Sequence, residues 1–198
     1  MAYGWFNPIK GSYPSHAQED KTLQIDSGVT GEARALICRG RILALKSNGD
    51  EAPTWTLPSA GATAGILYFA LQNIDDRQAE FAGATWYDAG QIPAGDRDGV
   101  NPKVIPFKNG PAITGIAATM SGEYETSEFN AEDTSIVAGT PLKVDANGKL
   151  VKAASAEDNI VGYATAAAYK RWCNDAPVDG NPNRTGANIK VLRFKTGA

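Results

Sequence analysis

Histidine is nearly absent: the 198 residues include one, His16, alongside two cysteines and two methionines. One imidazole with no acidic or cysteine cluster beside it defines neither a metal site nor a catalytic triad. Cys38 and Cys173 are separated by most of the chain and lack the spacing of a zinc-ligand set. Two buried, reduced thiols are the expectation, with a bridge between them as the alternative. Positive charge is not in excess either, since 19 Lys and Arg stand against 22 Asp and Glu, a net charge of -3. The basic residues are scattered, so no nucleic-acid partner is expected. Long apolar runs are missing: the longest, Gly65-Ile66-Leu67-Tyr68-Phe69-Ala70-Leu71, is far short of the roughly 18 to 20 residues of a membrane span. The start, Met1-Ala2-Tyr3-Gly4-Trp5-Phe6-Asn7-Pro8, has no basic segment followed by an apolar one, so no signal peptide is expected, and the protein is expected to be made and used without secretion.

What is abundant is glycine, at 21, and proline, at 11, with 42% hydrophobic residues. That balance favours many short elements joined by turns around a closed core, and so an all-β class. The chain also repeats itself. Ile37, Gly40, Leu43, Asn48 and Gly49 recur as Ile136, Gly139, Leu142, Asn147 and Gly148 at a constant offset of 99. Ile66-Leu67-Tyr68-Phe69-Ala70 then matches Ile160-Val161-Gly162-Tyr163-Ala164 at an offset of 94, and Lys103–Lys108 matches Lys190–Lys195 at 87. A preserved order with shrinking offsets is what shorter loops in a second copy produce.

Each block reads as strands. Leu142 and Val144 alternate with Pro141 and Lys143 before Asp145-Ala146-Asn147-Gly148, a hairpin turn where Asn and Gly accept positive φ, and Lys149–Lys152 returns. Ile42–Leu45 and Ser47-Asn48-Gly49-Asp50 repeat the pattern. Further strands are expected at Thr22–Ile25, Glu32–Cys38, Ala79–Tyr87, Ile113–Met120 and Tyr124–Phe129, with a short helix at Ile74–Phe81 competing for part of the third. Residues 88–102 and 173–188, rich in Gly, Asp, Asn and Pro, read as long surface loops. The resulting organisation is an extended arm over 1–19 and two tandem, related small β-barrel or sandwich units over 20–109 and 113–198.

No arrangement of residues points to a reaction, so no catalytic, cofactor or metal residue is assigned. Asp75-Asp76, Glu123/Glu125 and Glu132-Asp133 are carboxylate pairs, but alternation puts Glu123 and Glu125 together on one strand face, the pattern of a solvated face. Asp145–Gly148 and Asp96–Gly99 begin like calcium loops yet have Ala156 and Phe107 where the closing glutamate belongs. Calcium in the loop Asp175–Asn183 is the remaining metal alternative. No phosphate-cradling glycine loop or Gly-x-Ser-x-Gly elbow occurs. Tryptophan carries more information: Trp86 reads as core, whereas Trp5, beside Phe6 in a segment unable to form its own core, reads as an anchor on another surface.

The run Gly122-Glu123-Tyr124-Glu125-Thr126, then Ile136–Val144, Asn147-Gly148-Lys149-Leu150 and Ile160-Val161-Gly162-Tyr163-Ala164, resembles the head decoration, or cement, proteins of tailed bacteriophages. The resemblance covers residues 120–168, with a weaker echo in the first half. It implies a small β-barrel protein, made in the host cytoplasm, that binds the outside of an assembled capsid. Its partners would be the major capsid protein and neighbouring copies of itself. On that reading the arm residues Tyr3, Trp5, Phe6, Pro8, Ile9 and Tyr13 are the expected contacts, and deleting residues 1–14 is expected to leave a folded body that no longer binds. The competing expectation is a carbohydrate-binding or adhesive module using Trp55 or Trp172 as an aromatic platform.

Overall fold

The computed structural model describes residues 3–10, 20–26, 28–29, 33, 36–59, 67–71, 112–117, 122–155, 158–178 and 181–196. The fold is all-β, with two sheets, one of them curled into a half-barrel. The strands are β1 (Phe6–Lys10), β2 (Asp20–Gln24), β3 (Ile42–Asn48), β4 (Glu51–Thr56), β5 (Leu67–Ala70), β6 (Ala112–Ala117), β7 (Gly122–Thr126), β8 (Pro141–Val144), β9 (Leu150–Lys152), β10 (Gly162–Ala164), β11 (Tyr169–Val178) and β12 (Asn181–Thr196). One sheet runs β2-β6-β5-β3-β4; the other runs β1-β7-β12-β10-β8-β9, with β11 paired to β12 as a hairpin.

Removing β1 and β11 leaves two five-stranded sheets of identical order and connectivity. The correspondence extends to single hydrogen bonds. Gly40 and Gly139 have φ of 87° and 84°, and Gly49 and Gly148 have 67° and 77°. The N–H of Gly40 donates to Ala70 O and that of Ala70 to Arg41 O; likewise Gly139 donates to Ala164 O and Ala164 to Thr140 O. Ile42 pairs with Phe69 and Leu43 with Tyr68, as Pro141 pairs with Tyr163 and Leu142 with Gly162. Even the turn after the first strand repeats: Gly28 N–H donates to Asp26 Oδ1 and Glu132 N–H to Asn130 Oδ1, beside isolated bridges Ile25–Trp55 and Phe129–Leu150.

The structure changes the expected boundaries. β6 closes the first sheet, between β2 and β5, so the first copy runs through Ala117 and the second begins at β7. Lys103–Lys108 lies outside the described residues, and the partner of Ala70 is Gly115 in β6, where Ala164 pairs with Phe194. The segment expected as a strand at Glu32–Cys38 is in no strand at its described positions, and 173–188, expected as a loop, lies largely within the β11–β12 hairpin. Ala79–Tyr87, the competing helix at Ile74–Phe81, residues 88–102, His16 and Trp86 lie outside the described residues.

The two copies differ in what covers them. Ile25, Ile37, Leu43, Trp55, Ala70 and Ile113 form the first copy's own core. Their equivalents Phe129, Ile136, Leu142, Leu150, Ala164 and Leu192 lie in a larger cluster that also contains Ile42, Ala44, Leu67, Phe69 and Ile116 from the back of the first sheet. The first sheet is therefore apolar on both faces, which is why Leu67–Ala70 is an unbroken buried run. Its back seals the open inner face of the second copy. At the positions equivalent to Ile42, Ala44, Phe69 and Ile116 the second copy has Pro141, Lys143, Tyr163 and Lys195, none of them buried, while Val161, matching Leu67, joins the shared cluster; the stacking stops after two layers.

Candidate functional site

Of the six arm residues expected to face a partner, Phe6 is fully buried, stacked on Phe69 at 4.9 Å and on Tyr124 at 5.3 Å. It is a core residue, which corrects its assignment as a contact. β1 is an edge strand paired with β7, and Pro8, which has no N–H to donate, sits opposite Tyr124 where such a residue is tolerated. Tyr3, Trp5 and Ile9 are half-buried, and Tyr13 lies outside the described residues. Trp5 is tied down by its backbone: its N–H donates to Ser127 Oγ and its carbonyl accepts from Ser127 N–H. The guanidiniums of Arg39 and Arg171 lie over its ring, 5.6 and 5.4 Å from the centroid.

Arg171 belongs to a polar cluster that fixes the base of the hairpin. It donates to Glu125 Oε2 at 2.7 Å, the Tyr169 hydroxyl donates to Glu125 Oε1, and Arg193 pairs with Glu123 at 2.8 Å. Glu123 and Glu125 do share a face opposite Tyr124, but Glu125 is 2% exposed because the hairpin crosses over it. The expectation of a solvated pair is therefore overturned at Glu125. Burial, and then the adjacent Glu125 carboxylate, push the Tyr169 hydroxyl up to about 12, so it stays a donor throughout the physiological range. The cluster is occupied by its own hydrogen bonds, and its chemistry is that of a clamp.

A cleft of about 410 Å³ lies on the seam between the copies, lined by Leu36, Arg41, Phe129, Asn130, Asp145 and Lys149. Its polar groups are engaged: Arg41 pairs with Glu128 at 2.6 Å and donates to Asn147 O, and Asp145 Oδ1 accepts from the N–H groups of Asn147 and Lys149. Arg41 and Glu128 are nearly enclosed, with side chains 3% and 8% exposed. Replacing Glu128 by alanine strands a buried guanidinium, and a loss of about 3–5 kcal/mol in urea unfolding is expected. Cys38, beside this pair, is a buried thiol outside any disulfide, as is Cys173. Burial, reinforced by the Glu128 carboxylate, pushes the Cys38 thiol up to about 12.

In the first copy Asp26 holds the matching turn. Its carboxyl lies below the usual value, chiefly because Lys46 Nζ donates to it at 2.9 Å; burial opposes this, and Gly28 N–H and the Thr54 hydroxyl help. A carboxyl depressed by folding stabilises above the unfolded value, near 3.9, and loses that contribution as pH falls through the folded one. Asp26→Asn is expected to be less stable than the parent at pH 7, with the difference closing under about pH 4 in urea titrations at several pH values.

The outer face of the hairpin is different in kind. Trp172 is 59% exposed, the most exposed of the large hydrophobic side chains among the described residues. Its position is fixed: the indole N–H donates to Asn174 Oδ1 at 2.8 Å, and the ring edge lies over Gly186, where an added Cβ would stand 2.9 Å from Cζ2. Asn188 is its cross-strand neighbour, and Lys170 and Lys190 are paired directly opposite each other on the same face. Trp55, the other candidate platform, is fully buried, with its N–H donating to Ile113 O at 2.9 Å, which removes it from any platform.

Among the described residues, no group of His, Cys, Asp or Glu is placed to hold a metal ion. The side chains between Asp175 and Asn183 that calcium would need are outside the description, apart from buried Ala176 and half-buried Val178. No helix among the described residues is long and apolar enough to cross a membrane. Fold and site together define a duplicated all-β protein whose buried carboxylates Glu125 and Glu128 are each paired with an arginine and whose exposed aromatic is carried on a clamped hairpin. No protein-family model matches the chain, and no curated protein matches it.

Proposed function

We propose that the chain is a structural virion protein that binds the outer surface of an assembled phage capsid and stabilises the lattice. The observation that carries this reading is that the residues resembling decoration proteins, Gly122–Thr126 through Ile160–Ala164, fold as one continuous piece, β7 to β10, within a single sheet. That piece is the scaffold of the second copy, and the hairpin is an addition to it. The arrangement supports a binding body rather than an enzyme: its buried charges are paired with each other, and its exposed features lie on rigid strands. The partners would be the major capsid protein and neighbouring copies of the chain, on the exterior of a virion assembled in the host cytoplasm, with no nucleic acid, membrane or cofactor involved.

A protein that binds only the assembled lattice stabilises it by mass action, and repetition over many sites multiplies a modest affinity. Purified chain mixed with empty expanded heads is expected to co-sediment with them and to saturate at a fixed number of copies per head. Failure to co-sediment at micromolar concentration would contradict the proposal. The second reading, a carbohydrate-binding or adhesive module, is favoured by one observation, the immobilised and exposed ring of Trp172. Saturable binding to a glycan array, lost in Trp172→Ala, would move the assignment there.

A further inference from the structure

We infer that the outer face of the β11–β12 hairpin, centred on Trp172 and flanked by Lys170 and Lys190, is the surface that docks on an acidic patch of the capsid protein. The inference rests on the capsid reading above and names the anchor within it.

The reasoning starts from the strand pattern. Tyr169, Arg171 and Cys173 point inward, the first two onto Glu125, and this leaves Lys170, Trp172 and Asn174 outward. An indole that folding leaves more than half exposed gains little from the hydrophobic effect in the free protein, yet this one is held by a hydrogen bond and by the bare backbone of Gly186, whose φ is +100°. Immobilising the ring beforehand removes an ordering cost that association would otherwise carry, and tryptophans in such positions dominate interface energies. Because the N–H is already spent on Asn174, the surface offered is the apolar face of the ring.

Charge selects the occupant. Lys170 and Lys190 are directly opposite on adjacent strands, an arrangement of like charges that disfavours the free hairpin. Lys190 Nζ donates to the carbonyl of Ala131, and among the described residues neither Lys170 nor Lys190 forms an ion pair with a carboxylate. An acidic protein surface relieves the repulsion and covers the indole at once. A neutral sugar would stack on the ring but leave the lysine pair as it is. The clamp through Glu125, Arg171 and Tyr169 gives the hairpin the rigidity that repeated docking on a lattice needs.

The test uses the full chain and empty expanded heads, comparing the parent with Trp172→Ala and with Lys170→Glu/Lys190→Glu. All substituted side chains are exposed, and unchanged melting temperatures would establish that the variants fold. Trp172→Ala is expected to weaken co-sedimentation about 30-fold. The double charge reversal is expected to weaken it at least about 10-fold, and parental binding should fall as salt rises from about 50 to about 500 mM. Parental binding that is insensitive to both substitutions overturns the hairpin assignment and leaves the capsid reading intact. No binding by the parent overturns the capsid reading itself, and saturable binding of a neutral glycan dependent on Trp172 assigns the face to sugar instead.

Discussion

Gly148→Ala is expected to cost at least about 4 kcal/mol and to leave little folded protein at 37 °C, whereas Gly49→Ala is expected to cost about 1–2 kcal/mol. The two glycines occupy the same position of the two copies and have nearly the same backbone, with φ of 77° and 67°. Alanine pays the left-handed penalty at both. What differs is the surroundings. A Cβ at Gly49 would meet nothing within 4 Å, while one at Gly148 would run into the carbonyl oxygen of Ile42 and stand 3.0 Å from Arg41 Cδ. The Gly148 turn is seated on the first copy, its carbonyl accepting from Ile42 N–H at 2.9 Å while Arg41 donates to Asn147 O. The excess loss at Gly148 over Gly49, read from urea midpoints at constant slope, measures the contact between the copies. Gly40 and Gly139 give the same contrast in reverse order along the chain. A Cβ at Gly40 would stand 2.6 Å from Thr126 Oγ1 and 2.8 Å from Trp5 O, and one at Gly139 would be in open space.

Phe6→Ala is expected to cost about 3–5 kcal/mol, and removal of residues 1–10 to yield insoluble protein. Phe6 lies between rings contributed by both copies, Phe69 and Tyr124, and is fully buried. Its deletion opens a cavity in the shared cluster, and loss of β1 also exposes the edge of β7, a row of unpaired backbone groups open to other chains. A truncation in this segment therefore removes the fold together with any binding function. The assay for docking is substitution on the hairpin face, and the assay for the arm is thermal melting of Phe6→Ala beside Ile9→Ala, a half-buried neighbour expected to lose far less.

Much of this fold is legible in the sequence, for identifiable reasons. Turns that need positive φ leave glycines that cannot drift, so Gly40, Gly49, Gly139 and Gly148 preserve a constant spacing while the loops change length. The two-sided burial of the first sheet is visible in the unbroken run Leu67–Ala70. The last strand of each copy was obscured by compensating changes of size. Gly115 leaves room for Trp55, whose ring would stand 2.9 Å from a Cβ there, whereas the second copy places Phe194 and Leu150 at the equivalent positions. A very large residue facing a very small one is replaced by two of intermediate size, so residue identity between β6 and the matching end of β12 is lost.

The site is less legible, because alternation assigns a residue to a face without saying what covers that face. Glu125 reads as solvated until the hairpin, more than 40 residues later in the chain, is laid over it. The hairpin itself resembles a loop in composition because its far half contains register shifts around Pro177 and glycine under the indole. Trp5 and Phe6 read as a free anchor because one short edge strand carrying a proline has no periodicity to display. The same segment, once paired with β7, is what joins the two copies around a common aromatic cluster.

Differential scanning calorimetry of the full chain tests the central claim most directly, namely that the second copy is closed by the back of the first and that neither folds as an independent unit. One transition, with calorimetric and van't Hoff enthalpies equal, is the predicted result. Two resolved transitions, or one that Gly148→Ala splits into a stable half and an unstable half, would contradict it.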